Sequence, residues 1–199
     1  VLIISLMLGS FWSIGQDYSK KSYASIHMYA ERLMMMKIMD NAKDVDFNAG
    51  RLYYYKEKNL EGNYVHISGG YAGDYQMAMW KMDNGNDLVG VTSGNCGPVC
   101  VYECSFFEFD RADSTDVTNE IFPLQKMSKQ LSKMRSKLLD QNENIRDDQA
   151  QFKFILPHNQ GTLSVYLSIN YNQIEFPIMD LRWNGKEFVI DKKYKELPE

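Results

Sequence analysis

Three cysteines, Cys96, Cys100 and Cys104, fall in a C-x3-C-x3-C spacing within SGNCGPVCVYECSFFEF. In an exported chain an odd thiol count predicts one disulfide and one leftover thiol. Gly97 and Pro98 favour a turn that brings Cys96 and Cys100 within bridging distance. Cys100 and Cys104 stand about 13 Å apart along a regular strand, too far to bridge. A Cys96–Cys100 disulfide is therefore expected, with Cys104 packed as a small hydrophobe. The pair is one residue too widely spaced for a C-x-x-C redox motif, and it runs into a strand where such a motif opens a helix. Three thiolates are too few for a closed zinc site.

The histidines are His27, His66 and His158. None stands in H-x3-H or H-E-x-x-H spacing, so no metal site is expected. His66 sits among Tyr64, Val65 and Ile67 in a strand-like run. A hydrolase pairing His66 or His158 with a carboxylate at long range is the alternative enzymatic reading, although no G-x-S-x-G elbow occurs. Asp83 to Asp87 is oxygen-rich but lacks the downstream Glu of an EF-hand loop, and it reads as a turn. GGYAGD lacks the Lys-Ser/Thr of a phosphate loop. No catalytic residue and no cofactor are assigned, and the balance leans away from an enzyme. Lys126, Lys129, Lys133 and Lys137 with Arg135 make one basic helix side, which reads as a solvated face.

These residues need elements to position them. Ile26, Tyr29, Ala30, Leu33, Met34 and Met36 recur at three-four spacing and predict a helix over 17–43. Leu124, Met127, Leu131, Met134 and Leu138 predict a second over 119–141. Between and after them come short runs rich in aromatic and β-branched residues: LYYYKEK, NYVHIS, YQMAMWKM, DLVGVT, VYECSFFEFD, QFKFILP, TLSVYLS, IMDLRWN and EFVID. Asn84-Gly85 and Asn184-Gly185 predict type I′ hairpin turns. The expected class is α+β, mainly antiparallel sheet with two packing helices. An offset of 100 matches Met34 with Met134, Val65 with Val165, Met79 with Met179 and both Asn-Gly turns, so a tandem helix-plus-sheet duplication is part of the expectation.

The chain has 199 residues, with Lys plus Arg at 22 against Asp plus Glu at 26, a formal charge of -4. That balance leaves no broad basic footprint for nucleic acid. Val1 to Leu8 is apolar but too short to span a bilayer. With Ser13 and Gly15 behind it, it reads as a signal peptide over 1–15, cleaved near Gly15. The expected units are then a helix-sheet half at 16–118 and another at 119–199, with no membrane span in the mature chain and a location in the periplasm or outside the cell.

Antiparallel sheets can leave one face wet. Tyr53 and Tyr55 share a strand face, and with His66, Trp80 and Trp183 they form the expected binding surface for a protein or glycan partner. The leading functional expectation is a binding module that uses an open sheet face; an envelope structural module is the further alternative.

The blocks YQMAMWKMDNGNDLVGV, CGPVC, FILP, LSVYLS and LRWNGKEFVID resemble those of small exported bacterial proteins of unknown function. That resemblance implies export and no activity. In architecture, a duplicated helix-plus-sheet layout is similar to secreted β-lactamase-inhibitor-like proteins.

Overall fold

The computed structural model describes residues 26–41, 54–69, 73–96, 100–110, 113–122, 132–137, 139–140, 150–169 and 174–194, and of residues 34–41, 54, 69, 73, 96, 150 and 174 the backbone alone. The expected signal segment and Tyr53 lie outside these residues. No helix among them is long and apolar enough to cross a membrane.

The class is as expected: mainly antiparallel sheet with short helices. Helix α1 spans Ile26–Asn41. Strands β1 (Tyr54–Asn59), β2 (Tyr64–Gly69), β3 (Gly73–Lys81), β4 (Asp87–Cys96), β5 (Cys100–Asp110) and β6 (Asp113–Asp116) form one six-stranded meander in sequence order. One turn of helix, α2 (Thr118–Ile121), follows, and residues 132–137 and 139–140 are helical. Strands β7 (Ala150–Ile155), β8 (Leu163–Ile169), β9 (Ile174–Trp183) and β10 (Phe188–Lys193) form a four-stranded meander.

Two apolar clusters sandwich the six-stranded sheet. Ile26, Tyr29, Ala30 and Leu33 of α1 lie at i, i+3, i+4 and i+7 and bury one stripe. That stripe packs on Val65, Ile67, Tyr75, Met77, Met79, Val89 and Val91. The alternate residues of the same strands, Tyr64, Ala78, Trp80 and Leu88, point the other way, and with Phe106 they meet Leu163, Val165, Leu167, Met179, Leu181 and Phe188 of the four-stranded sheet. The order of layers is thus helix, sheet, sheet, with one core shared by the two sheets. The six-stranded sheet thus carries an apolar cluster on each of its faces.

Tyr29 fastens α1 to its sheet. Its hydroxyl donates to Oδ2 of buried Asp87 at 2.7 Å, while Lys81 Nζ pairs with Oδ1 of the same carboxylate. Burial and the neighbouring Asp87 charge raise the Tyr29 phenol far above its ordinary range, so it stays a donor. Tyr29→Phe is expected to cost about 1–2 kcal/mol in urea melts, because a buried carboxylate loses a donor while Lys81 remains.

The Asn-Gly tips are hairpin turns, but not of type I′. Lys81 pairs with Asp87 and Trp183 with Phe188, leaving loops longer than two residues. Gly85 (φ 87) and Gly185 (φ 100) have left-handed backbone, whereas Asn84 and Asn184 do not. Gly85 N–H donates to Met82 O and Met82 N–H to Asn86 O, each at 3.0 Å, as in a type I turn closed by a glycine bulge. Each Asn acts through its side chain instead: Asn84 Oδ1 accepts from Asn86 N, and Asn184 Oδ1 accepts from Lys186 N and Glu187 N.

Strands β2, β3 and β4 recur as β8, β9 and β10 at nearly the 100-residue offset, yet the two hairpins close in different registers. Val65 and Met79 face α1, while Val165 and Met179 face the cluster on which Met134 and Leu139 pack.

Candidate functional site

The four described residues of the expected binding surface are distributed over three places. Tyr53 lies outside the described residues. Tyr55 is on the α1 side, with Lys58 Nζ 3.8 Å from its ring centre and His27 5.1 Å away. His66 pairs in register with Gln76 and Glu57 on the opposite face. Trp80 is 2% exposed and lies in the shared core. Trp183 packs at the edge of that core and donates its Nε1–H to Lys81 O at 2.8 Å. Strand alternation explains the scatter: odd and even residues of a strand go to opposite faces of its sheet.

Both histidines expected in the enzymatic alternative do stand beside carboxylates. His158, in the turn after β7, stacks on Tyr64 (4.1 Å between ring centres, 16° between planes), and its Nδ1 lies 2.9 Å from Glu57 Oε1. The His158 carbonyl accepts from Asn59 Nδ2 at 2.8 Å, and Leu156 N–H donates to Gln76 Oε1 at 3.2 Å. Burial, then the charges of Glu57 and Asp74, push the Tyr64 phenol up to about 12. His66 Nε2 lies 3.5 Å from Asp74 Oδ2 and makes no hydrogen bond.

The two histidine–carboxylate contacts differ in the order of their partners. A triad needs the imidazole between nucleophile and carboxylate. At His66 the carboxylate is the hub instead: Asp74 takes Ser68 and Lys56, and His66 stands to one side. Among the described residues, neither His66 nor His158 hydrogen-bonds a hydroxyl or thiol. The His158 cluster joins the β7–β8 turn to the β1–β2 hairpin, just as Asp83 N–H to Gly185 O (3.0 Å) joins the hairpin tips.

Burial alone would raise the Asp74 carboxyl. The hydrogen bonds from Ser68 and Lys56, with the charges of Lys56 and His66, outweigh it and hold the group below its ordinary value. A lowered folded pKa gives stability that is present above the unfolded value and is lost as pH falls through the folded one. The thermal midpoint is therefore expected to drop more steeply below about pH 4 in wild type than in Asp74→Asn. Parallel midpoint-versus-pH curves would remove Asp74 from the account.

Opposite the shared core, β7 to β10 present a polar and aromatic face. Ser164 and Asp180 are register partners, with Ser164 Oγ donating to Asp180 Oδ1 at 2.7 Å. Tyr194 OH donates to Asp180 Oδ2 at 2.9 Å. Beside them lie half-buried Tyr166, the Lys153–Glu175 pair at 2.6 Å, and Arg182, 60% exposed and 3.2 Å from Asp191. Sequence reasoning missed this face, although the alternation in LSVYLS, with Ser164 and Tyr166 out of phase with Leu163, Val165 and Leu167, carries it.

No family model matches the chain. No curated protein matches it either. Among solved structures, the chain is similar to a domain of an uncharacterized protein from Porphyromonas gingivalis, at 13% identity and a TM-score of 0.42, over 81% of this chain and 92% of that one.

The cysteines divide as spacing predicted in one respect: Cys104 is free and packs against the shared core, and burial raises its thiol and keeps it protonated. Cys96 and Cys100 are register partners at the mouth of the β4–β5 hairpin. Among the described residues no group of three or more His, Cys, Asp or Glu side chains could hold a metal ion.

Proposed function

We propose that the chain is an exported binding module, acting in the periplasm or outside the cell, and that it contacts a protein or glycan through the outward face of β7 to β10. The observation that carries the reading is Asp180: one carboxylate fixes the Ser164 and Tyr194 hydroxyls beside Tyr166 and Arg182. Fixed hydroxyls, a tyrosine ring and an exposed guanidinium suit polar partners, since they order little on contact. The six-stranded sheet carries an apolar cluster on each face, which favours the outward face of β7 to β10 for the contact.

Labelled protein should bind isolated cell envelopes saturably, and the Tyr166→Ala/Arg182→Ala variant should bind at least about tenfold more weakly with an unchanged thermal midpoint. Equal binding by the two proteins would refute this face as the contact.

A Cys96–Cys100 cross-link belongs to the same reading. Directly paired antiparallel residues stand about 4.5–5.5 Å apart at Cα, inside the window a disulfide needs. After unfolding without reductant, alkylation should reach Cys104 alone; alkylation of all three cysteines would exclude the cross-link.

A further inference from the structure

The two Asn-Gly tips and α2 enclose a cleft of about 340 Å³. Its apolar lining is Met82, Val117 and Ile121, and its rim carries the carboxylates of Asp83, Glu108 and Glu120 and one cation, Lys186. The walls are hydrogen-bonded into place before any ligand arrives. Asp83 N–H donates to Gly185 O at 3.0 Å, Val117 N–H to Phe106 O at 2.9 Å, and Phe106 N–H to Thr118 Oγ1 at 2.8 Å.

The charges on the rim are unequal in their neighbours. Lys186 Nζ lies 3.9 Å from Asp83 Oδ2, so that carboxylate is partly matched. Glu108 accepts from Asn84 Nδ2 at 2.8 Å and Asn86 Nδ2 at 2.6 Å, both through Oε1; these neutral amides orient the carboxylate and leave its charge uncancelled. Glu120 is exposed and takes part in no ion pair among the described residues. The cleft therefore combines an apolar wall with a rim of three carboxylates against one ammonium, a net negative charge.

We infer that this cleft takes the side chain of a lysine or arginine from a partner polypeptide, its aliphatic stem on Met82, Val117 and Ile121 and its cation between Glu108 and Glu120. Basic side chains bury their stems along apolar surface while the charged head stays at the rim. The volume lies at the low end of the range for ligand sites, which suits one side chain better than a cofactor. The rim disfavours an anion, and a purely apolar group would leave the carboxylates unused.

The probes are N-acetyl-lysinamide, N-acetyl-argininamide and, as the isosteric apolar control, N-acetyl-norleucinamide, followed at the Met82, Val117 and Ile121 methyl resonances. The inference expects saturable shifts with a basic probe, weakened by added salt, and none with the norleucine probe. Glu108→Gln/Glu120→Gln should weaken the basic probe about fivefold to tenfold at an unchanged thermal midpoint. Should that variant melt early, Glu120→Lys, on an exposed helical position, makes the same test. Absent saturation, an equal response to norleucine, or unaltered affinity in a folded charge variant overturns the inference.

Discussion

Phe188→Ala should lower the stability of the whole chain by about 3–5 kcal/mol, the cost of removing a large ring from a core that cannot fully collapse. Phe188 begins β10, is 1% exposed, and bridges the two sheets. Its ring centre lies 5.3 Å from Trp80 and 4.9 Å from Phe106, both of the six-stranded sheet, 6.0 Å from Phe122, and 5.1 Å from Trp183 of its own. The loss therefore belongs to both sheets. Val189→Ala, one residue on and half-buried, should cost under about 1.5 kcal/mol. Urea denaturation read by fluorescence checks this, with Trp12→Phe/Trp80→Phe and Trp12→Phe/Trp183→Phe backgrounds assigning the signal to one sheet or the other. Phe188→Ala should move both signals together; a shift confined to the Trp183 signal would mean separate cores.

Gly62→Ala should cost about 2–4 kcal/mol, although one methyl is added at a partly exposed turn. A Cβ there would stand 2.1 Å from the backbone oxygen of His158 and 2.4 Å from Asn59 Nδ2. The oxygen belongs to the backbone, and the Asn59 amide can swing aside only by giving up the His158 carbonyl that it holds. The methyl must push the β7–β8 turn away, adding overpacking to a lost hydrogen bond. Gly85→Ala is the matching control: a Cβ at Gly85 meets nothing within 4 Å, so only the left-handed φ of 87° is penalised, about 1–2 kcal/mol. Urea midpoints give the ranking, and the His158 ring resonances should lose the ring-current shift from Tyr64 in Gly62→Ala alone. Equal destabilisation of the two variants would mean that the sheets do not meet at Gly62.

Strand positions were legible because runs such as NYVHIS and LSVYLS carry β-branched and aromatic residues between turn residues. The strands that escaped have clear reasons. Strand β6 reads DSTD, wholly polar, and exists because its backbone completes the edge beside Phe107 to Asp110. The start of β9 was hidden by Pro177, which sits where the β8–β9 register shifts and so tolerates its missing N–H.

The covering of both sheet faces was written in the sequence but outweighed by the pattern of alternation. In β3, Tyr75, Met77 and Met79 alternate with Ala78 and Trp80, so MAMW is apolar in both phases. A strand apolar in both phases is buried on both faces. The binding face was less legible for another reason: Asp180, Ser164 and Tyr194 are far apart in sequence, and only pairing brings their oxygens together. The cleft depends on the meeting of two hairpin tips about a hundred residues apart, which no local spacing encodes.

Native-state hydrogen exchange under increasing urea tests the layered core most directly. Backbone amides of Leu88 in the six-stranded sheet and Val165 in the four-stranded sheet, both 0% exposed and both in the shared core, should exchange through one common opening with the same free energy and the same urea dependence. Exchange of Val165 through a cheaper opening that leaves Leu88 protected would contradict one core shared by the two sheets.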